Sequence, residues 1–318
     1  MINKLILTLK SKGLLMLIIA IYYFLLRKIY IFLNKKYILK KIYNFKMKLY
    51  LDDEGISKTL ILFGQRELDH KFMLEILLKP NMNVLDIGSN IGYYLLIEKK
   101  LIGDKGFIIA VEPSSKNISL LKENLNINNI NNYKIVHGAI SNKPGRQIFH
   151  LSSKSNLNTF HIENINNLSL TGETEDVSTN TVSQITGDKK IDLIRMDVEG
   201  HEVQIIDGLI NDISEKLKPM IIFEPHTSRY SQNLDFKIIL LSLFKKNYST
   251  LMISSNSISG TKIIEKYGYK SIKIIKTDDV ERRIYKNISN EDVIDFITKT
   301  GGLRTVVFVP NDIYKIDL

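Results

Sequence analysis

The residues best suited to chemistry lie in two turns that follow apolar runs. In segment 84–92 (VLDIGSNIG), an apolar run reaches Asp86, and a turn carrying Gly88 and Gly92 leads directly into a helical pattern. Glycines in a strand-to-helix turn let the backbone approach a ligand closely. Glu112 ends the next apolar run, where a carboxylate can accept hydrogen bonds from two ribose hydroxyls. The two turns together predict a site for a nucleoside-containing cofactor.

The order of hydrophobic patterns predicts the scaffold that positions these turns. We expect strands at 83–87, 107–111, 133–137, 191–196, 220–223, 250–254 and 305–310, and helices at 66–78, 93–101, 114–126, 203–209 and 235–246. A polar stretch, 141–187, interrupts the alternation, with short strand-like pieces at 147–151 and 181–185. The alternation predicts an α/β fold with a doubly wound, mostly parallel sheet, helices on both faces and ligands at the carboxyl ends of the strands.

The first turn departs from the fingerprint of dinucleotide-binding proteins. That fingerprint needs G-x-G-x-x-G, whereas Asn90 stands between Gly88 and Gly92 and no third glycine follows. Asp86 can instead hydrogen-bond to the ammonium group of a cofactor with an amino-acid part, such as S-adenosylmethionine. A methyl donor is therefore favoured. A nicotinamide-dependent oxidoreductase and a non-catalytic, membrane-tethered binding module are the alternatives.

Five segments occur in the order typical of the FkbM-type S-adenosylmethionine-dependent methyltransferases: VLDIGSNIGYY, VEPSSKNISLLKENLNINN, HGAISNKPG, IDLIRMDVEGHEVQIIDGL and IIFEPH. The chain resembles that family over residues 60–250, and DVEGHE is the most specific block. The resemblance implies a class I methyltransferase (Rossmann-like) fold and S-adenosylmethionine as the cofactor. It also implies O-methylation, most simply of a hydroxyl on a sugar, glycan or glycolipid by in-line methyl transfer.

The resemblance also implies roles for individual residues. The methionine side of the cofactor would be lined by Asp86, Gly88, Asn90 and Gly92, the ribose held by Glu112, and the adenine flanked by Ala139 and Ile140. The block facing the methyl group and the acceptor would contain Asp197, Glu199 and Glu202.

A base for the acceptor hydroxyl is expected near this block. His201 and Asp197 are the first candidates and His226 a further one, since a histidine titrates near neutral pH. Glu199 is grouped with them as catalytic. Asp197, Glu199 and Glu202 suit a divalent cation, but acids in a first helical turn are also favoured by the helix dipole alone. No metal is assigned from the sequence.

The small-molecule or lipid-linked acceptor itself is not identified by any motif. We expect the variable stretches 141–187 and 255–300 to shape its pocket, with contacts from 156–160 and from Arg229 and Tyr230. Nothing in the sequence indicates an oligomeric state.

The first 50 residues carry the chain's excess positive charge. They hold eleven of the chain's 44 Lys and Arg and no Asp or Glu. Residues 51–318 therefore contain 33 basic and 34 acidic residues, which nearly cancel. A nearly neutral body disfavours nucleic acid as the partner. The chain has no cysteine, which excludes disulfides, thiolate metal sites and a cysteine nucleophile. We therefore divide it into a basic, apolar helical arm, 1–50, and a methyltransferase domain, 51–318.

The arm contains an uncharged apolar run at 13–26, resumed at 29–33. Fourteen helical residues span about 21 Å, short of a hydrocarbon core of about 30 Å, which a flanking apolar run would complete. No small-residue cleavage site follows, which disfavours a signal peptide. We favour a membrane anchor, spanning or interfacial, over a packed helix or a nucleic-acid arm. Eight basic residues after the run against three before it would then place the catalytic domain in the cytoplasm.

Overall fold

The computed structural model describes residues 2–162, 169–230 and 234–312. Within these ranges the strands are β1 (Tyr37–Ile42), β2 (Phe45–Tyr50), β3 (Asn83–Ile87), β4 (Phe107–Glu112), β5 (Tyr133–His137), β6 (Ala139–Ile140), β7 (Gly145–Ser152), β8 (Leu170–Asn180), β9 (Leu193–Met196), β10 (Met220–Phe223), β11 (Tyr248–Ser255), β12 (Lys273–Thr277), β13 (Val280–Lys286) and β14 (Leu303–Pro310). The helices are α1 (Ile2–Phe32), α2 (Ile56–Phe63), α3 (Leu68–Leu77), α4 (Tyr93–Ile102), α5 (Ser115–Ile127), α6 (Val182–Thr186), α7 (Glu202–Asp212), α8 (Phe236–Lys245), α9 (Ile258–Lys266) and α10 (Asn290–Asp295).

The central sheet has nine strands in the order β12-β13-β11-β14-β10-β9-β3-β4-β5. The five strands from β10 to β5 pair in parallel, and β14 runs antiparallel between β10 and β11. Strand order changes direction at β3, since β4 and β5 lie on one side of it and β9 and β10 on the other. Open α/β sheets bind ligands at such a point. The predicted doubly wound, mostly parallel sheet is confirmed.

Helices cover both faces of the sheet. Alternate residues of β3 enter different cores: Val84 packs in the core that includes residues of α3, α4 and α5. Leu85 and Ile87 pack in the core that includes residues of α6, α7 and α8. A strand buried on both faces explains why this segment reads as one continuous apolar run.

Much of the polar stretch after β5 folds into a second, three-stranded sheet in the order β6-β8-β7. The expected strand at 147–151 is confirmed within β7. The expected strand at 181–185 is wrong, because this segment forms α6. Thr181 and Gln184 make a capping box, in which each side chain accepts a hydrogen bond from the other residue's backbone. That local pairing favours a helix over a strand.

The first 50 residues form two kinds of element. The expected helical arm is present as α1, which kinks at Gly13, where φ is +81°. Among the described residues, the part Ser11–Phe32 is long and apolar enough to cross a membrane. Residues 37–50 are not helical but form the antiparallel hairpin β1–β2, with Ile42, Met47 and Leu49 buried in the core of the body. The domain boundary at residue 50 stays a prediction.

Candidate cofactor and acceptor site

A cleft with about 770 Å³ of open space lies at the carboxyl ends of β3, β4 and β9. Seven of the nine predicted site residues line it: Gly88, Asn90, Glu112, Ala139, Asp197, Glu199 and His201. The other two, Asp86 and Gly92, lie behind its wall. The strand order therefore brings together residues that are more than 100 positions apart in the chain.

The turn between β3 and α4 has the backbone conformation that its residue types favour. Gly88 and Asn90 have φ values of +78° and +49°, which glycine and asparagine tolerate better than other residues. The backbone N–H of Gly88 donates to the carbonyl of Val111 at 2.9 Å, which ties the turn to β4. The Asn90 side chain donates to the carbonyl of Ser155 at 3.0 Å. The turn thereby also connects to the residues after β7.

Glu112 stands at the end of β4 and fastens two neighbouring loops. Its Oε2 accepts from the backbone N–H of Asn90 at 2.8 Å. Its Oε1 accepts from the backbone of Ser114 at 3.0 Å and from the side chain of Asn117 at 3.1 Å. Burial raises the pKa of Glu112 to about 7, although these hydrogen bonds act to lower it. The Oε2 atom keeps acceptor capacity for a ligand hydroxyl in the cleft.

Asp86 does not have the position expected for direct contact with a cofactor. It is fully buried, and its Oδ1 accepts from Arg195 Nη1 at 3.1 Å. Arg195 also donates to the carbonyl of Gly88 at 3.2 Å and, through Nη2, to Asp197 Oδ2 at 3.2 Å. The guanidinium group lies over the ring of Tyr94, 4.3 Å from its centroid. Asp86 therefore acts through Arg195, which fixes both the cofactor turn and the start of the acidic block.

Gly92 also lies behind the cleft wall. It precedes α4 with φ at +88°, and an added Cβ would lie 2.6 Å from Leu121 Cδ1 of α5. Glycine here accommodates the positive φ and the close approach of Leu121, and its place beside the cofactor stays a prediction.

The acidic wall of the cleft consists of Asp197 and Glu199. Burial acts to raise the pKa of Asp197, but Arg195 and His226 outweigh it and hold that pKa below its ordinary value. No hydrogen bond from the described residues reaches its Oδ1 atom. Glu199 is paired with Arg229, yet burial raises its pKa to about 8. The two carboxylates therefore differ in charge near neutral pH, with Asp197 ionised.

His201 lines the cleft but both of its ring nitrogens have protein partners. Nε2 lies 3.1 Å from Ser141 Oγ, and Nδ1 lies 3.0 Å from Nε2 of His161. Burial, and then His161, lower the pKa of His201 to about 3, so the ring is neutral at physiological pH. The ring of Phe160 packs against it at 5.1 Å. This environment suits a neutral positioning residue better than a free base.

Several residues of the site are not identified by the sequence motifs. Arg66 and Glu67 line the cleft from the segment before α3, where φ of Glu67 is +49°. Glu67 accepts from the hydroxyl of Tyr94 at 2.7 Å and from Arg304 at 2.6 Å. They lie outside the recognised segments, so only the fold shows their proximity to the cofactor turn.

The expected acceptor contacts are partly present. Asn156, Asn158 and Phe160 line the cleft, and Arg229 contacts the cleft residue Glu199. Residues 163–168, within the expected pocket-shaping stretch, lie outside the described residues. The segment 255–300 is described throughout and none of it lines this cleft, so its part in an acceptor pocket stays a prediction. It extends the far edge of the sheet as β12 and β13, with α9 and α10.

Comparison with known proteins identifies the family to which the chain belongs. The family model described as Methyltransferase FkbM domain matches residues 86–250, which is more than half of the chain. The chain belongs to the FkbM methyltransferase family. The resemblance seen in the sequence is thereby confirmed, and the matched range runs from the cofactor turn through the acidic block to β11.

Individual relatives of this FkbM-family chain are distant. Protein-L-isoaspartate O-methyltransferase of Thermotoga maritima is 32% identical over 108 residues, 34% of this chain and 33% of that protein. A putative methyltransferase of Jannaschia sp. is 25% identical over 156 residues, 45% of this chain and 56% of that protein. The chain thus spans about a third to a half of these curated relatives. The solved methyltransferase FkbM from Methylobacillus flagellatus is 16% identical with a TM-score of 0.36, covering 72% of this chain and 52% of the other.

Proposed function

We propose that this chain is an S-adenosylmethionine-dependent methyltransferase that methylates a hydroxyl group. The observation that carries the proposal is the cleft at the switch point of the sheet, where a glycine-containing turn and Glu112 stand beside an acidic wall. The first two features fit a nucleoside cofactor, and the wall fits an acceptor that must lose a proton. Membership of the FkbM methyltransferase family supports the same reading.

The cleft has groups for each part of the cofactor. Oε2 of Glu112 can accept a hydrogen bond from a ribose hydroxyl, and Ala139 offers an apolar surface after β5 for the adenine. Arg66 and Glu67, which pair with each other, also line the cleft and could bind an amino acid's carboxylate and ammonium. The charges of these two side chains replace the direct contact that the sequence suggested for Asp86.

When bound, S-adenosylmethionine supplies a methyl group on a positively charged sulfur, which is already activated for displacement. The protein therefore has to align the acceptor, exclude water and remove the acceptor's proton. Asp197 is ionised and lines the cleft, so it can accept a hydroxyl proton. Phe160, packed on His201, supplies an apolar wall beside that position.

Calorimetry with S-adenosylhomocysteine and, separately, NAD tests the cofactor. We expect the first to bind with one site per chain and NAD to leave no heat of binding. Glu112→Ala should weaken binding by about 10- to 100-fold, because a hydrogen bond to a charged group contributes about 1.5–3 kcal/mol. Glu215→Ala, a change of the same type at an exposed position, should bind like the wild type. Binding of NAD alone would refute the proposal, and binding of neither would favour a non-catalytic module.

We further propose that α1 holds the protein on the cytoplasmic surface of a membrane, lying in the interface and not spanning it. Two polar contacts at distant points of α1 support the lying arrangement. Lys12 lies 3.4 Å from Asp279 of the body, and Arg27 donates to the carbonyl of Leu51 at 2.9 Å and pairs with Glu54. Those contacts hold about 22 Å of helix against the protein.

The opposite face of α1 supports a lipid surface as its partner. It exposes an apolar stripe at helical spacing, which includes Leu14, Ile18, Tyr22, Leu25, Ile29 and Phe32. Exposed lysines follow at Lys28, Lys35, Lys36 and Lys41, with no acid in the first 50 residues. An exposed apolar helix followed by basic residues fits association with a membrane, and the basic residues favour one that contains anionic lipid. An acceptor attached to lipid, such as a glycolipid hydroxyl, would be reachable there.

Vesicle sedimentation tests this placement. We expect binding to vesicles that contain anionic lipid, weaker binding to neutral ones, and at least 10-fold loss in the double variant Ile18→Glu, Leu25→Glu. Ile238→Glu, an equally exposed apolar position on α8, should bind normally. Resistance of the cellular protein to extraction by alkaline carbonate would show a spanning helix and contradict the interfacial placement.

Mass spectrometry of extracted glycolipids tests the acceptor. We expect one glycolipid to lose 14 daltons, the mass of the added methylene, when the chain is absent.

A further inference from the structure

We infer that Asp197, Glu199 and His226 form a binding site for one divalent first-row metal ion beside the cofactor cleft. One ligand atom from each of these residues lies within 4.8 Å of the others. His226 Nε2 is 3.4 Å from Glu199 Oε2 and 4.0 Å from Asp197 Oδ1. Ligands bound at about 2.1 Å from one ion are separated by about 3 to 4.2 Å, so these separations fit a shared ion. The inference rests on the proposed function and deepens it.

The orientation of His226 is the second observation that points to a metal. Its Nδ1 is 2.8 Å from Oε1 of the buried Glu202, which begins α7. With Nδ1 held by Glu202, Nε2 points towards Asp197 and Glu199. It is also 3.6 Å from Oε1 of Glu224. This carboxylate–histidine arrangement is the usual support of a metal-binding histidine. The sequence suggested Glu202 as a ligand, whereas the geometry makes it the residue that orients one.

Each of the two carboxylates also contacts an arginine. Arg195 donates to Asp197 Oδ2, which leaves Oδ1 facing His226. Arg229, in contrast, contacts Oε2 of Glu199, the same oxygen that faces His226. This oxygen would therefore be shared between the ion and the guanidinium group. Each of the three ligands thus has its own positioning partner on a different part of the chain.

The charge of the surrounding network favours a divalent cation. The side chains joined through these contacts are six carboxylates (Glu67, Asp86, Asp197, Glu199, Glu202 and Glu224) and four guanidinium groups (Arg66, Arg195, Arg229 and Arg304). The carboxyl groups outnumber the guanidinium groups, six against four, in a largely buried region beside the cleft. Mixed oxygen and imidazole ligands favour Mn²⁺ or Zn²⁺ over Ca²⁺ and Mg²⁺.

The position of the ion defines its chemistry. Asp197 and Glu199 line the cleft, so an acceptor hydroxyl in the cleft can complete the coordination. The cation would lower the pKa of that hydroxyl, whose proton would leave to water; the oxygen would then form a bond to the methyl carbon as the sulfur–methyl bond breaks and S-adenosylhomocysteine leaves. In this arrangement Asp197 acts as a ligand, and its role as a direct base is taken over by the metal.

Electron paramagnetic resonance with Mn²⁺ tests the site in the full chain after treatment with a chelator. We expect one bound Mn²⁺ per chain and nitrogen modulation in the spin-echo signal, from the imidazole of His226. His226→Gln and Asp197→Asn should each weaken binding at least 10-fold, and His226→Gln should remove the modulation. Glu202→Gln should weaken binding by about 10- to 100-fold through loss of orientation. Glu215→Gln is the matched control and should bind normally.

The outcomes separate this inference from the proposed function. A wild-type chain that binds S-adenosylhomocysteine but takes up no Mn²⁺ would overturn the metal site alone. Mn²⁺ uptake without nitrogen modulation would also overturn it, because His226 would not be a ligand. Mn²⁺ uptake with modulation, in a chain that binds no S-adenosylhomocysteine, would support the metal site and refute the proposed cofactor. Circular dichroism of each variant excludes misfolding as the cause of a loss.

Discussion

Replacing Gly88 by alanine should damage the cofactor turn and the acidic wall at once. An added Cβ would lie 3.2 Å from the carbonyl carbon of Asp197, closer still to its oxygen, and 3.4 Å from Val198 Cγ1. The neighbours are mostly backbone atoms, which cannot rotate away as a flexible side chain can. The turn after β3 and the turn after β9 must therefore move apart to admit one methyl group.

The size of the effect follows from two contributions. Alanine at a φ of +78° costs about 1–2 kcal/mol relative to glycine. Forcing an extra methyl group into a packed contact costs about 1–3 kcal/mol more. We therefore expect Gly88→Ala to lower the free energy of unfolding by about 2–5 kcal/mol. Because the displaced backbone lines the cleft, affinity for S-adenosylhomocysteine should also fall at least 10-fold.

Urea unfolding and calorimetry measure these two quantities, and Gly64→Ala provides the matched control. Gly64 has a similar φ of +71°, but an added Cβ would meet only the flexible end of Lys40, at 3.8 Å. We expect it to lose about 1–2 kcal/mol of stability and no affinity. If Gly88→Ala matched Gly64→Ala in both measurements, the inferred close approach of the two turns would be incorrect.

Three further predictions concern ionisable groups. Burial raises the pKa of Glu112 to about 7, and a hydrogen bond from a ribose hydroxyl favours the ionised form. Binding of S-adenosylhomocysteine should therefore release a proton and become tighter as the pH rises from about 5 to 8, and an affinity that does not change with pH in calorimetry would contradict this. Glu98 is buried with neither carboxyl oxygen hydrogen-bonded, and burial raises its pKa well above the ordinary value. The folded protein therefore holds Glu98 protonated, and its free energy of unfolding falls as the pH rises above the pKa of an unfolded glutamate. Glu98→Met should therefore add about 1–3 kcal/mol, more at pH 8 than at pH 4, and an equal gain at both pH values in urea unfolding would refute the assignment. Arg195→Gln should cost about 3–5 kcal/mol, and adding Asp86→Asn should restore part of it; additive losses would exclude a direct pair.

The parts of the fold that the sequence predicts are those set by local patterns. The parallel strands can be recognised because apolar residues lie on both of their faces. The turn after β3 can be recognised from its glycines. The hairpin at 37–50 is harder to recognise because Lys40 occupies an inward position, where its ammonium group donates to the carbonyl of Ile61 at 2.6 Å. A lysine at that position interrupts the alternation of apolar and polar residues that predicts a strand.

The roles of individual site residues depend on contacts that no local pattern contains. Asp86 and Arg195 are 109 residues apart, and only their pairing shows that Asp86 supports the turn from behind. His201 looks like a suitable base in the sequence, but the structure engages both of its nitrogens. His226 gains its direction from Glu202, 24 residues earlier. Residue type and spacing could predict which side chains meet at the cleft, but not which of them remain available for chemistry.

The cofactor turn and the acidic wall are mechanically one unit. Arg195 donates to the carbonyl of Gly88 on one side and to Asp197 on the other, and Gly88 itself leaves no space between the two loops. We therefore expect a ligand that shifts the turn to shift the carboxylate of Asp197 as well. In the proposed reaction, such coupling would bring the acidic wall to its working position only when the cofactor turn is occupied. Arg195 is the buried group that would carry that change, because its guanidinium group donates to a backbone oxygen of the turn and to the carboxylate of the wall.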